Sequence, residues 1–303
     1  MPLVIHFPEI DPAIVSFELF GLTLAIRWYA LAYVVGFGLA WLWAMYLVRN
    51  SRIWRAGQPP LMPSHVEKLM TWLILGTILG GRLGFVLFYN PAHYLRNPLQ
   101  VVQIWEGGMS FHGGAIGVGI AGLLFCWRHR LPVAGVADIV ACSVPPGLGL
   151  GRVANFVNAE LWGRPTDVSW AVVFPGRQAS ECPPWWAHDV CSRHPSQLYE
   201  ALLEGAILFA VLAVLALRFS WLKRPGQLTG VFLIGYGLAR FFVEFVRASD
   251  IQFMTPGNPF GHVLRFGAGS DAAGLTMGQT LSLPMIAAGL AVIVLARRAS
   301  RNA

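Results

Sequence analysis

Charge is scarce in this chain. Charged residues make up 12% of its 303 residues, and hydrophobic residues make up 55%. Soluble globular domains carry roughly 25% charged residues. The deficit excludes an ordinary soluble domain and points to an integral membrane protein. Cysteine is sparse as well, with four residues. No cysteine–histidine pattern has zinc spacing, and no carboxylate cluster asks for a metal, so no cofactor is expected. Cys126 and Cys142 lie in or beside apolar runs and read as inert core thiols. Cys182 and Cys191 share one hydrophilic loop. They pair there if the loop is extracytoplasmic, and otherwise stay reduced. Met1 to Pro12 lacks a positive region and carries Glu9 and Asp11, so no cleavable secretory signal is expected. Low-complexity segments and internal repeats are absent too.

The net charge of +7 leaves two partner classes open, nucleic acid and anionic lipid. No basic face is interleaved with aromatics. The basic residues sit in short clusters between apolar runs. That placement fits membrane topology and lipid headgroups, and it argues against a nucleic-acid partner.

A transmembrane helix needs about 20 apolar residues. Strong apolar runs cover 28–48, 69–89, 109–127, 205–217 and 273–296. Two weaker ones, 134–151 and 228–246, carry Asp138 and then Arg240 with Glu244. The run at 205 extends back to Leu198 through Glu204 and Glu200. The expected fold is an all-α polytopic membrane protein, one domain over 1–303 with about seven transmembrane helices. Arg49, Arg52, Arg55 and Lys68 follow the first helix. Arg128 and Arg130 follow the third, Arg218, Lys223 and Arg224 the fifth, and Arg297, Arg298 and Arg301 end the chain. Such clusters belong in the cytoplasm. The N-terminus is therefore expected outside and the C-terminus inside, which requires an odd number of helices. The loop 155–197 then lies outside. It holds Trp162, Trp170, Trp185 and Trp186, and it is expected to form a small irregular or β-containing head at the membrane face.

The densest polar cluster is 151–163, where Arg152, Asn155, Asn158 and Glu160 follow a stretch broken by Pro145, Pro146, Gly147 and Gly149. Charge near hydrocarbon is costly and marks function. Arg152 and Asn155 share a helix face at i, i+3. A guanidinium fork suits phosphate. The competing reading is a structural Arg152–Glu160 ion pair at a helix end. Tyr236, Arg240 and Glu244 repeat every four residues and form one stripe. They bind an anion or make a stabilising pair at the membrane edge. His112, in a glycine-rich run at the start of helix 3, reads as a hydrogen-bonded helix-end histidine or as a general base. Tyr29 reads as an interfacial anchor or a site residue. Glu200 and Glu204 read as polar capping of helix 5, and Arg82 as a snorkelling headgroup contact. Topology puts His112, Arg152, Arg240, Glu244 and Tyr29 at one depth, near the outer leaflet. Independent structural roles do not predict that convergence, whereas a phospholipid-headgroup site does.

Several motifs resemble one family. They are Gly151-Arg-x-x-Asn155-Phe-x-Asn158-x-Glu160-x-x-Gly163, His6-Phe-Pro-Glu-Ile-Asp-Pro12, Arg27-Trp-Tyr-Ala30 and Gly107-Gly-Met-Ser-Phe-His-Gly-Gly114. Arg193-His-Pro-Ser-Gln-Leu-Tyr-Glu200 and Gly235-Tyr-Gly-x-x-Arg240-x-x-x-Glu244-Phe complete the set. In order and over nearly the whole chain they are similar to the phosphatidylglycerol–prolipoprotein diacylglyceryl transferases. These act first in bacterial lipoprotein maturation, in the cytoplasmic (inner) membrane. The loop around Cys182 and Cys191 matches none of these motifs. The resemblance implies transfer of the diacylglyceryl group of phosphatidylglycerol to the lipobox cysteine thiol of a prolipoprotein signal peptide. A thioether forms and glycerol 1-phosphate leaves. It implies His112, Arg152 and Arg240 as catalytic residues. Tyr29, Asn155, Glu160, Gly163, Tyr236 and Glu244, with both arginines, would bind substrate.

Two other classes compete. A transporter or lipid-binding scaffold needs a polar path to both membrane sides. Here the polar residues crowd one side, with Asp138 alone near the inner end of helix 4. An intramembrane serine protease lacks its Gly-x-Ser-Gly motif, and Ser110 lies too close in sequence to His112.

Overall fold

The computed structural model describes residues 5–19, 22–89, 91–182, 186–249, 251–267, 269 and 272–301. Each predicted apolar run is helical: α1 Trp28–Arg49, α2 Pro63–Phe88, α3 Phe111–His129, α4 Val133–Val157, α5 Ser196–Leu217, α6 Gln227–Val243 and α7 Met277–Arg301. Five of them, α1, α2, α4, α5 and α7, are long and apolar enough to cross a membrane. The chain is thus a mainly helical, multi-pass membrane protein. Helix α3 has 19 residues and α6 has 17.

Two boundaries move in ways that matter for chemistry. The sequence pattern ends helix 4 near 151, at its run of prolines and glycines. The helix instead restarts at Pro145 and runs to Val157. Proline is tolerated in a first turn, whose N–H groups have no intrahelical partner. Arg152 and Asn155 therefore sit on regular helix. Helix α5 begins at Ser196 and contains a π-helical segment, Ala201–Ile207. Such segments recur at functional sites.

Two hairpins escape the sequence reading. Strands β2 (Ala13–Leu19) and β3 (Leu22–Arg27) pair antiparallel ahead of α1, leaving Val15, Phe17 and Ile26 exposed. Strands β5 (His262–Arg265) and β6 (Gly274–Thr276) pair ahead of α7. The short strands β1 (Ile5–His6) and β4 (Val172–Val173) run parallel to each other.

The chain divides into two compact units, one of residues 41–140 and one of residues 1–40 with 141–303. In the first, α2 packs on α3. A Cβ on Gly84 would stand 2.6 Å from the Gly113 Cα, so only glycine permits the approach. Arg82 does not snorkel. It is 4% exposed, and it donates to the backbone carbonyls of Gln100, Val101, Gly107 and Gly108. The guanidinium is held by these four backbone carbonyls instead of reaching headgroups.

In the second unit, α6 packs along α7, and the C-terminal half of α4 crosses α5. The loop between them builds a small core of Val172, Phe174 and Ala179, covered by Phe7, Phe156 and Trp162. Cys182 and Cys191 are disulfide-bonded, with Cα atoms 5.6 Å apart. Cys126 and Cys142 are buried thiols, as their apolar surroundings predict. Trp162 lies under the Arg193 guanidinium at 4.1 Å. Trp170 is exposed and donates to the Tyr199 hydroxyl, and Trp186 donates to the Val190 carbonyl. Trp185 falls outside the described residues.

Candidate functional site

The second unit gathers four helix ends: the start of α1, the end of α4, the start of α5 and the end of α6. Their meeting depends on one close crossing. A Cβ on Gly205 would lie 2.6 Å from the Gly149 Cα, so α4 and the π-helical part of α5 touch backbone to backbone. Arg152 is one turn beyond Gly149, and Glu204 is next to Gly205. The crossing brings the two within ion-pair distance.

A network of six charges fills this junction. Arg152 Nη1 lies 3.2 Å from Glu200 Oε2, and its Nη2 lies 3.3 Å from Glu204 Oε2. Arg240 Nη1 lies 3.1 Å from Glu200 Oε1, and its Nη2 lies 2.7 Å from Glu244 Oε2. Arg247 Nη1 lies 3.0 Å from Glu200 Oε1. Three guanidiniums thus face three carboxylates. Mutual neutralisation is what makes this much buried charge tolerable. Burial is uneven across the network. The Glu200 and Glu204 side chains are 0% exposed, while those of Arg152 and Arg240 keep 19% and 20% of their surface. The anions are sealed behind cations that remain reachable. Tyr236, one turn before Arg240 on α6, sits within electrostatic reach of Arg152.

The Arg152–Glu160 pair that the sequence allowed does not form. Arg152 turns to α5, and Glu160 instead accepts from Asn155 Nδ2 at 3.1 Å. The same amide donates to the Tyr29 hydroxyl. Tyr29 is therefore more than an interfacial anchor, because it is tied to α4 through Asn155. Glu200 and Glu204 are not capping groups. The sequence reading missed their role, and it missed Arg247 altogether. The available signal was spacing: Glu200 and Glu204 are one turn apart, and Arg247 lies one turn past Glu244.

Gly163 occupies a backbone joint. Its N–H donates to the His194 carbonyl at 2.9 Å, and it bridges to Arg247. A Cβ there would lie 2.7 Å from both the His194 Cβ and its carbonyl oxygen, which excludes any side chain. Arg193 seals the joint by donating to the carbonyls of Ala179, Glu181 and Gly163. Burial pushes its guanidinium down to about 10. Burial also lowers the pKa of His194, which contacts Tyr199 at 3.2 Å. These residues fix where α5 begins, and hence where Glu200 stands.

His112 belongs to the unit of residues 41–140. It lies exposed on the first turn of α3, two residues after Ser110, whose Oγ caps the helix by accepting from the Gly113 N–H at 3.2 Å. Ser110 is 4% exposed and committed to that cap, which removes it as a nucleophile.

Chemically, the junction offers two partly open guanidiniums held rigidly on different helices. It also offers a tyrosine–amide–carboxylate cluster suited to hydroxyl and ester groups. A family model described as prolipoprotein diacylglyceryl transferase matches residues 15–295. The phosphatidylglycerol–prolipoprotein diacylglyceryl transferase of Cereibacter sphaeroides is 56% identical over 97% of this chain and 98% of its own length. That of Ruegeria pomeroyi is 54% identical over 98% and 99%. That of Rhodospirillum rubrum is 51% identical over 99% and 97%.

Proposed function

The chain belongs to the prolipoprotein diacylglyceryl transferase family, and from that premise we propose how its junction of helix ends works. The enzyme transfers the diacylglyceryl group of phosphatidylglycerol to a prolipoprotein. The acceptor is the thiol of the lipobox cysteine in the signal peptide. Sulfur loses its proton and attacks the glycerol carbon that carries the phosphate ester. A C–S bond forms, the C–O bond to phosphate breaks, and glycerol 1-phosphate leaves with the bonding pair. Charge on the leaving phosphate grows from one toward two.

One observation carries the assignment of the site. Arg152 and Arg240 are partly open, on separate helices, and both anchored to the fully buried Glu200. Fixed cations aimed where charge develops, in a water-poor site, stabilise a transition state more than a ground state. Tyr29, Asn155 and Glu160 hold the glycerol headgroup and ester oxygens beside them. Tyr236 and Glu244 keep the two arginines oriented, and Gly163 keeps the joint closed. His112, an exposed imidazole, takes the thiol proton. A free thiol has a pKa of about 8.5, so attack near neutral pH needs such help.

The membrane arrangement follows the same reading. Helices α1 to α7 all span the bacterial cytoplasmic membrane, with the N-terminus outside and the C-terminus in the cytoplasm. The start of α1, the end of α4, the start of α5 and the end of α6 then share the outer side. Residues 155–197 form an extracytoplasmic head over them. The Cys182–Cys191 disulfide supports that side, because such bonds persist in oxidising compartments. The alternative of a transporter or lipid-binding scaffold gains nothing from this geometry. The test is mass spectrometry of a lipobox-cysteine peptide incubated with purified protein and phosphatidylglycerol. A diacylglyceryl mass gain on cysteine is expected. An unmodified peptide with folded enzyme refutes the reading.

A further inference from the structure

Glu200 ends the Arg193–Glu200 motif, and neither the transfer chemistry nor the family resemblance gives it a task. Its geometry is unlike that of any other carboxylate described in the chain. Three arginines from three different segments lie within ion-pair distance of its oxygens, Arg240 and Arg247 hydrogen-bonded to Oε1 and Arg152 facing Oε2 by charge alone. Arg152 comes from α4, Arg240 from α6 and Arg247 from the segment after α6. Glu204 and Glu244, by contrast, each meet one arginine. Among the ion pairs of the described residues, Glu200 alone links the α4 arginine to the α6 arginine.

We propose that Glu200 is a positioning residue that sets both the spacing of the Arg152–Arg240 pair and the net charge of the site. The inference rests on the reading of those two arginines as the phosphate clamp. Spacing follows from the bridge. One carboxylate, 0% exposed, holds Nη1 of each arginine within 3.2 Å of its own oxygens. The guanidiniums cannot close around a phosphate or drift apart without stretching it.

Charge follows from the count of three cations against three anions. A neutral site grips a singly charged phosphodiester weakly and leaves its donors poised for the second charge that appears on bond breaking. Removing the Glu200 charge would leave the site at +1. Ground-state lipid and the phosphomonoester product would then both bind more tightly, while the clamp loses its fixed width. Tight ground-state binding with poor transition-state fit lowers KM and kcat together.

The test uses full-length enzyme in detergent or nanodisc, with kinetics per mole of monodisperse protein. In Glu200→Gln, KM for phosphatidylglycerol is expected to fall on the order of tenfold and kcat by at least tenfold. Inhibition by added glycerol 1-phosphate should strengthen by a similar factor. A purely structural role would reduce the amount of folded enzyme and leave KM and product inhibition unchanged. That result, or wild-type kinetics, overturns the proposal. Glu200→Asp keeps the charge but shortens the reach. It should hold KM within about twofold and still lose about tenfold in kcat. If Glu200→Gln yields no folded protein, Glu200→Asp decides, and a wild-type kcat there overturns the proposal. Arg240→Gln separates the layers. If it stays active, the clamp reading itself fails. If it is inactive while both Glu200 variants behave as wild type, only the inference fails.

Discussion

Replacing Arg240 with glutamine puts the clamp reading under its most direct test. Arg240 makes two ion pairs, at 3.1 Å to Glu200 and 2.7 Å to Glu244, and keeps a fifth of its side chain accessible. Three losses follow. A transition-state donor of this kind contributes about 3–4 kcal/mol, or 10²–10³ in kcat. The network falls from three-against-three to a net charge of −1. At about 6 Å and an effective dielectric constant of about 20, one unit charge acts on a phosphate by about 3 kcal/mol. Relaxation and proton uptake by a neighbouring carboxylate relieve part of that. KM for phosphatidylglycerol should therefore rise as kcat falls, and kcat/KM should drop by at least about 10³. The third loss is stability. Stranding a buried carboxylate costs about 3–5 kcal/mol when pairing is complete. Here Glu200 keeps Arg152 and Arg247, while Glu244 loses its one arginine and is relieved only by proton uptake, so the protein should stay folded with a clearly lowered Tm. Product is read as the diacylglyceryl mass gain on a lipobox peptide, and folding as thermal unfolding in the same detergent. A variant that is folded and within threefold of wild-type kcat/KM would refute the assignment.

Other perturbations test the frame around the clamp. Gly205→Val should push α5 off α4 at Gly149, separate Glu204 from Arg152, and lower activity and Tm together; a variant with wild-type values of both would contradict the crossing. Replacing Cys182 and Cys191 with serine opens a short loop. The loss should be about 2–3 kcal/mol of local stability, seen as faster proteolysis of the 155–197 segment, with the transferase reaction retained. His194 predicts a pH effect. Its pKa is lowered by burial, so the unfolded chain binds that proton more readily. Stability should be full above the ordinary histidine range and fall as pH drops through it toward the lowered value. Tm measured between pH 7.5 and 5 should fall less in His194→Gln than in wild type, and identical slopes would rule this out. Tyr29→Phe removes the acceptor for Asn155 Nδ2 and should raise KM severalfold with Tm nearly unchanged; an unaltered KM would detach Tyr29 from the headgroup site.

Much of this protein was legible before any coordinate. Composition placed it in a membrane, and apolar runs located its apolar helices, five of them long and apolar enough to cross one, because hydrocarbon forces long, continuously apolar segments with satisfied backbones. Topology alone indicated that the ends of α4 and α6 and the start of α1 share a side. Motif spacing singled out Arg152, Asn155, Tyr236, Arg240 and Glu244. Hairpins hid from the same logic. Alternating apolar residues in β2 and β3 look like the approach to a helix when their neighbours are also apolar.

What the sequence could not determine was partnership. From spacing, Arg152 had Glu160 as its nearest candidate, eight residues away, whereas its partners lie 48 and 52 residues on. Those pairs exist because Gly149 and Gly205 let two backbones touch, a contact between segments that no local pattern encodes. Arg82 taught the same lesson in reverse. Its neighbours in sequence suggested headgroups, but four backbone carbonyls 18 to 26 residues further along the chain captured it. Local periodicity reports how one helix meets its solvent, and here that solvent is lipid. Which charge neutralises which depends on how helices cross, and that was decided only when the chain packed around Glu200.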